Sequence, residues 1–222
     1  MPRIARTAEP AAPETTATVG AVTEALGARI RERRQEAGLT VRGLAAAVGV
    51  SPSLISQIER GRATPSVATL WSIATELKQP VADLFSNSDA ESEPLRQGTQ
   101  KPPPVQPYET RKSVTLAGGV RWERLTSASD DELDFIYVVY PPGAESCPPN
   151  ALTRHGGREF GYVISGTLAV EISFDEYVLR PNDSISFDSA MPHRLRAVGD
   201  VPAVAVWAVM HRHSDDRPAG FS

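Results

Sequence analysis

Ser53, Ser56 and Gln57 recur at helical spacing in a short stretch that ends on Arg60, Gly61 and Arg62. Hydroxyl and carboxamide groups on one helix face can exchange hydrogen bonds with base edges, and glutamine suits adenine in the major groove. Arginine and short hydroxyl side chains nearby suit phosphate oxygens. The chemistry open to this set is the reading of double-stranded DNA.

That chemistry needs a helix held at a fixed angle with its polar face outward, and the flanking sequence predicts one. Thr40 is placed to cap a first helix whose apolar positions are Val41, Leu44, Ala45 and Val48. Gly49 stands where the chain must turn. Ser51 caps a second helix with Pro52 at its first position, where the missing N–H costs nothing. Leu54, Ile55 and Ile58 are its apolar stripe. Ser66 caps a further helix with Val67, Leu70, Ile73, Ala74 and Leu77 facing inward. Upstream, residues 22–37 form one amphipathic helix, with Val22, Leu26 and Ile30 inside and Arg29, Arg31, Arg33 and Arg34 on the charged surface. Two short helices joined by a tight turn are the helix-turn-helix arrangement. The plain alternative is an ordinary helical bundle with a basic face.

Residues 22–85 carry a specific resemblance. The run IRERRQEAGLTVRGLAAAVGVSPSLISQIERGRATPSVATLWSIATELKQPVADLF resembles the five-helix DNA-binding domain of the XRE family, which includes the Cro and lambda-type repressors. The resemblance implies that Pro52, Ser53, Ser56 and Gln57 face base edges. It also implies that Thr40, Arg42, Ser51, Arg60 and Arg62 lie near phosphates. The recognition helix has no Arg or Lys between Ser51 and Glu59, which argues against strong guanine readout from it.

Composition limits the alternatives. The chain has 222 residues, 41% of them apolar, and a net charge of −4. No apolar run approaches the roughly 20 residues of a membrane span, and the N-terminus lacks the apolar core of a signal peptide. The single Cys147 rules out an intrachain disulfide framework and reads as a small buried filler in a cytoplasmic protein. Residues 21–65 hold seven arginines against four acids, so a local basic face sits on an acidic chain.

From about Tyr108 helical periodicity gives way to short alternating runs. The predicted strands are Ser113–Leu116, Val120–Leu125, Leu133–Tyr140, Phe160–Ser165, Thr167–Ile172, Glu176–Leu179, Ser184–Phe187, His193–Ala197 and Ala203–Met210. Gly166 reads as a hairpin turn and Pro181-Asn182-Asp183 as a second turn. A β-sandwich or small barrel fits this spacing.

The segments PPGAESCPPNALTRHGGREFGYVISGTLAVEI and YVLRPNDSISFDSAMPHRLRA resemble the two cupin motifs. His155, Glu159 and Gly166 have the first motif's spacing, and His193 matches the histidine of the second. Thr153 replaces the first motif's leading histidine, and Ala197 stands at the second motif's terminal Asn. The resemblance implies a set of two imidazoles and one carboxylate, His155, Glu159 and His193. Such a set suits Fe, Mn, Zn or Ni as a divalent metal with open positions. The same residues also suit a metal-free barrel, with His155 hydrogen-bonded internally and Glu159 anchoring a ligand amine. With Thr153 they outline an effector pocket. Arg154 and Arg158 flank it in an unresolved direction, and His211 and His213 read as a solvated tail.

The fold class expected is multidomain α and β: an N-terminal five-helix bundle of the lambda-repressor kind and a C-terminal cupin double-stranded β-helix. Residues 1–20 read as a disordered tail, 21–86 as the helix-turn-helix domain, 87–107 as a polar, proline-rich linker, 108–213 as the cupin domain and 214–222 as a tail. The domain order resembles that of bacterial transcriptional regulators in which a cupin senses a small-molecule effector. The expected partners are a palindromic DNA operator, that effector and a second copy of the chain in a homodimer, with no membrane and no catalytic residues. The alternative is a mononuclear-iron cupin enzyme resembling hydroxypropylphosphonate epoxidase, which has the same domain order.

Overall fold

A computed structural model describes residues 16–85 and 102–211. The helical half contains α1 (Thr16–Glu36), α2 (Val41–Ala47), α3 (Pro52–Ile58) and α4 (Val67–Glu76), followed by a 3-10 helix at Val81–Leu84. The expected bundle of five helices is thus four α-helices and a 3-10 helix. Pro80 precedes that last segment, which is too short for a regular α-helix. α1 starts at Thr16, upstream of the expected position 22. Residues 1–15, 86–101 and 212–222, including His213, lie outside the described residues.

The caps form as their residue types require. Thr40, Ser51 and Ser66 accept hydrogen bonds from the amides of Gly43, Leu54 and Thr69 at 3.0, 3.2 and 3.1 Å. α2 and α3 meet at a bend of 110°. Leu26, Ile30, Leu44, Ile55, Ile58, Leu70 and Ile73 are buried where the helices meet. Gly27 lets α1 approach the end of α3, because a Cβ there would lie 2.2 Å from the Ile58 carbonyl oxygen. Arg34 does not join the charged surface. It is 8% exposed and forks onto the Glu59 carboxylate at 2.5 and 2.9 Å, while donating to the Leu39 carbonyl at 2.7 Å. Arg29 likewise turns inward, to the Asp83 carbonyl. No single helix among the described residues is long and apolar enough to cross a membrane.

The other half contains nine strands: β1 (Ser113–Thr115), β2 (Arg121–Arg124), β3 (Leu133–Tyr140), β4 (Arg158–Ser165), β5 (Thr167–Ile172), β6 (Asp175–Leu179), β7 (Ser184–Asp188), β8 (His193–Val198) and β9 (Ala203–Met210). All pairings are antiparallel, in a six-stranded sheet ordered β1-β2-β3-β9-β4-β7 and a three-stranded sheet ordered β6-β5-β8. Alternate residues of β3, β8 and β9 are buried, as a sheet with one covered face requires. Gly166 does turn the chain, at φ 72°, but β4 and β5 do not pair. The turn carries the chain from one sheet to the other, so the expected hairpin is a crossover.

The two halves share buried apolar surface, with Trp71 and Phe85 against Trp122. Polar contacts frame it. Asp134 on β3 accepts from the Val81 and Ala82 amides at 3.2 and 3.0 Å, capping the free amides at the buried start of the 3-10 helix. Asp83 pairs with Arg124 at 3.4 Å and accepts from Ser129 at 2.6 Å.

The Arg34–Glu59 pair joins α1 to the end of α3 and is shielded from water. Removing one partner strands a buried charge, so Arg34→Met is expected to cost about 3–5 kcal/mol. Arg34→Met with Glu59→Leu should recover most of that loss. Urea unfolding monitored by circular dichroism checks both.

Candidate functional site

The exposed polar face of α3 forms as the sequence predicts. Pro52, Ser53 and Gln57 are exposed, and so are Thr40, Arg42, Ser51, Arg60 and Arg62 around them. Ser56 is half-buried because Arg60 folds back on it, with Nη2 donating to its hydroxyl at 2.6 Å and Nε to its carbonyl at 2.9 Å. Gln57 Nε2 donates to Ser53 Oγ at 3.4 Å, a weak contact that a base edge could replace. The Thr40 and Ser51 oxygens are occupied as caps, but each hydroxyl proton remains able to donate.

The second site lies inside the β half, where three elements converge. Glu159 is an inward residue of β4, His193 opens β8 in the other sheet, and His155 sits in the loop before β4. Thr153 and His193 exchange backbone hydrogen bonds at 3.0 and 2.8 Å, and the His155 amide donates to Ser189 at 3.0 Å. Glu159 Oε1 lies 3.1 Å from His155 Nε2 and 3.1 Å from His193 Nε2. Its other oxygen accepts from Trp207 Nε1 at 2.7 Å. That contact needs Gly161, because a Cβ there would stand 2.1 Å from the Trp207 ring.

The protons decide what this cluster can hold. Each Nδ1 lies on a backbone carbonyl, Gly156 at 3.2 Å for His155 and Met191 at 2.8 Å for His193. A carbonyl cannot donate, so Nδ1 carries the proton in both rings. In neutral rings both Nε2 atoms are then bare lone pairs facing a carboxylate oxygen that also only accepts. Positive charge must lie between them, either as further protons or as a cation. Metal–ligand distances of about 2.0–2.2 Å fit edges of this size, and the three ligand atoms lie within 4.8 Å of one another. Carbonyl contacts to Nδ1 are of the kind that orient metal-binding histidines. The cluster therefore fits a divalent metal.

The electrostatics agree. Burial alone would raise the Glu159 carboxyl, but hydrogen bonds from His155 and His193 and their charges hold it at about 2. Burial would lower His193, and its hydrogen bond and ion pair with Glu159 outweigh that and raise it.

The remaining space is small. The cavity is about 20 Å³, bounded by Trp71, Trp122, Tyr140, Thr153 and Trp207 around the cluster. That is room for one water-sized group. Thr153 Oγ1 is buried there without a hydrogen-bond partner among the described residues. At the place of the expected effector pocket, the space left in this arrangement is thus narrow. Arg154 and Arg158 are exposed, with Arg158 over the Phe160 ring at 5.5 Å. His211 is no solvated tail. It is 2.8 Å from Asp134 Oδ2 and its ring lies 6.2 Å from Trp71. Cys147 is buried, as expected of a filler.

Trp71 and Trp207 escaped the sequence reading. The available signal was composition: the chain has three tryptophans, and Trp71, Trp122 and Trp207 all bound this cavity.

Residues 30–84 match the helix-turn-helix family model and residues 136–209 the cupin-domain model. The chain is 26% identical over 170 residues to the HTH-type transcriptional regulator PuuR of Escherichia coli, covering 75% of this chain and 84% of that protein. It is 31% identical over 119 residues to the uncharacterized HTH-type transcriptional regulator RghRB of Bacillus subtilis, covering 48% of this chain and 84% of that one. Among solved structures, an HTH_3 family transcriptional regulator from Vibrio cholerae shares the fold with a TM-score of 0.63 at 22% identity, over 87% of this chain and 99% of that one.

The pKa shifts fix the sign of a pH effect. The depressed Glu159 value stabilises the metal-free protein above the ordinary 4.5, a contribution lost as pH falls towards about 2. The raised His193 value stabilises it below the ordinary 6.5, a contribution lost as pH rises through the shifted value. Metal binding must expel the His193 proton and so strengthens with pH. Excess Zn²⁺ should raise the melting temperature more at about pH 8 than at about pH 6, and Glu159→Gln should remove the effect. Thermal unfolding with and without chelator measures it. An unchanged melting temperature at both pH values would refute metal binding.

Proposed function

This chain belongs to the XRE-type helix-turn-helix transcriptional regulators that carry a cupin domain, and we propose that it binds a palindromic DNA operator as a homodimer under the control of a small-molecule effector sensed in the barrel. The observation that carries the DNA reading is the exposed Ser53–Gln57 face of α3, set at a 110° bend to α2. Pro52, Ser53, Ser56 and Gln57 read base edges, while Thr40, Arg42, Ser51, Arg60 and Arg62 hold phosphates. A recognition helix of seven residues offers few contacts. Duplication in a dimer, with half-sites about 34 Å apart, supplies useful affinity. The outer face of the six-stranded sheet supports pairing with a second copy, since Phe160, Tyr162 and Ile164 of β4 are exposed in a row.

In the barrel, His155, Glu159 and His193 hold a divalent metal, and Thr153 offers its unpartnered hydroxyl beside them. When bound, the ion supplies the positive charge that the converging lone pairs require and an open position for a donor atom of the effector. Glu159 fixes the geometry through Trp207, and the carbonyls of Gly156 and Met191 fix both ring tautomers. The protein acts in the cytoplasm and is not an enzyme.

Selection of duplexes from a random library tests the DNA reading. Wild-type protein should enrich a palindrome, and Ser53→Ala with Gln57→Ala should relax the bases selected. Arg60→Ala should weaken binding to all sequences and flatten the salt dependence by about one unit of slope. An unchanged motif from the Ser53/Gln57 double variant would overturn the assignment of α3.

A further inference from the structure

Trp71 belongs to the DNA-binding domain, yet it closes the barrel site. It projects from α4 and stacks on His155, with ring centroids 4.5 Å apart and planes 12° apart. Trp122 meets it edge-on at 6.0 Å, and Trp71 is 6% exposed. Val67, one turn earlier on α4, lines the same mouth. α4 is fixed there by the Ala68 amide, which donates to the Ser146 carbonyl at 3.2 Å.

The space on the two sides of this ring differs greatly. Inside lies the cavity of about 20 Å³ at the His155–Glu159–His193 cluster. Outside is a cleft of about 380 Å³ between the domains, floored by Trp71 and His155 and reached past Lys78 and Asp131. An organic molecule fits the outer volume and not the inner one. The ring cannot swing aside freely, because His155, Trp122 and His211 surround it.

We propose that Trp71 is a plug through which the DNA-binding domain gates the barrel: a ligand larger than water reaches Glu159, His193 and the inward Nε2 of His155 only when α4 undocks and withdraws the indole. Access to the site and docking of the helix-turn-helix domain are then one equilibrium. Any ligand that occupies the opened barrel shifts the placement of the recognition helix, by as much as it prefers the open form. The latch that holds the closed form lies away from the site, where Asp83 pairs with Arg124 and Ser129.

This inference deepens the sensor reading and rests on it, but its test needs neither the effector nor a metal. Full-length, metal-free protein is treated with diethyl pyrocarbonate, and acylation of His193 is followed by mass spectrometry. Its imidazole is 5% exposed in the docked form. Trp71→Ala should speed acylation about tenfold or more, whereas Trp71→Phe, which keeps a ring over the mouth, should stay near wild type. Asp83→Ala leaves the plug intact and loosens only the latch, and it should also speed acylation several-fold. Equal rates in wild type and Trp71→Ala would overturn the plug. Acceleration by Trp71→Ala without any effect of Asp83→Ala would overturn the coupling to domain docking. A second arm loads the proteins with Co²⁺ and extracts it with pyridine-2,6-dicarboxylate. Wild type should release the ion at a rate independent of chelator concentration, set by opening, and Trp71→Ala at a rate that rises with it. A wild-type rate that rises in parallel would refute gating. Failure to bind Co²⁺ would refute the metal site alone, and the acylation arm would still decide the plug.

Discussion

The Glu159 carboxylate is the group on which the β half turns. It is 3% exposed, and removing a charge from water costs several kcal/mol unless every lone pair finds a partner. β4 cannot supply those partners. Trp207 of β9 supplies one, and the proton or cation that Oε1 requires is held by His193 of β8 in the opposite sheet and His155 in the loop before β4. Satisfying one carboxylate therefore ties the two sheets together at a single point. The requirement propagates outward. Gly161 must be glycine so that the indole can reach its oxygen, and the backbone carbonyls at Gly156 and Met191 must aim both imidazoles inward. Through the Trp71 stack on His155 it reaches the helical half as well.

Charge in the helical half is less available to a partner than its arginine count suggests. Arg34 is buried against Glu59, Arg29 holds the Asp83 carbonyl, and Arg33 pairs with Glu36. These guanidinium groups position α1 and its neighbours. The exposed cations near α3 are Arg42, Arg60 and Arg62. A surface with so few phosphate contacts binds a single half-site weakly at physiological salt. On the proposed dimeric reading, affinity and register come from two copies held at a fixed spacing, and whatever sets that spacing controls binding.

The parts of this architecture legible in the sequence are those set by local chemistry. Alternation placed all nine strands, and Thr40, Ser51 and Ser66 announced three helix starts, because a cap or a pleat depends on a few neighbouring residues. The His155, Glu159 and His193 cluster came from motif spacing, and the structure brings their side chains together. What escaped depends on contacts distant in sequence. Gly166 has the same φ whether the chain returns to its own sheet or crosses to the other, so the hairpin reading failed. Arg34 fits a solvated helix face until Glu59, on another element, is placed beside it. Trp71 lies at the edge of the stripe of Leu70, Ile73, Ala74 and Leu77 that faces the bundle, on the same side of α4 as Val67, and both line the barrel mouth. Its burial has another cause, the barrel beneath it. A large apolar side chain at the edge of the stripe is itself a sign that a helix has a second neighbour.

The joint between the halves combines an apolar centre with a polar rim, and the rim determines its character. Asp134 of the barrel completes the amide terminus of the 3-10 helix and also accepts from His211, while Asp83 of that helix reaches back to Arg124 and Ser129. Each carboxylate is satisfied by groups from the other half or from both. A purely apolar joint of this size would bind in many registers and part with difficulty. Paired carboxylates impose one register, because a shifted interface would leave charges buried and unpaired. They also lower the penalty of parting, since water can solvate every group of the rim once it opens. A polar rim around a stacked indole thus suits a domain that must dock in one place and still be able to leave it.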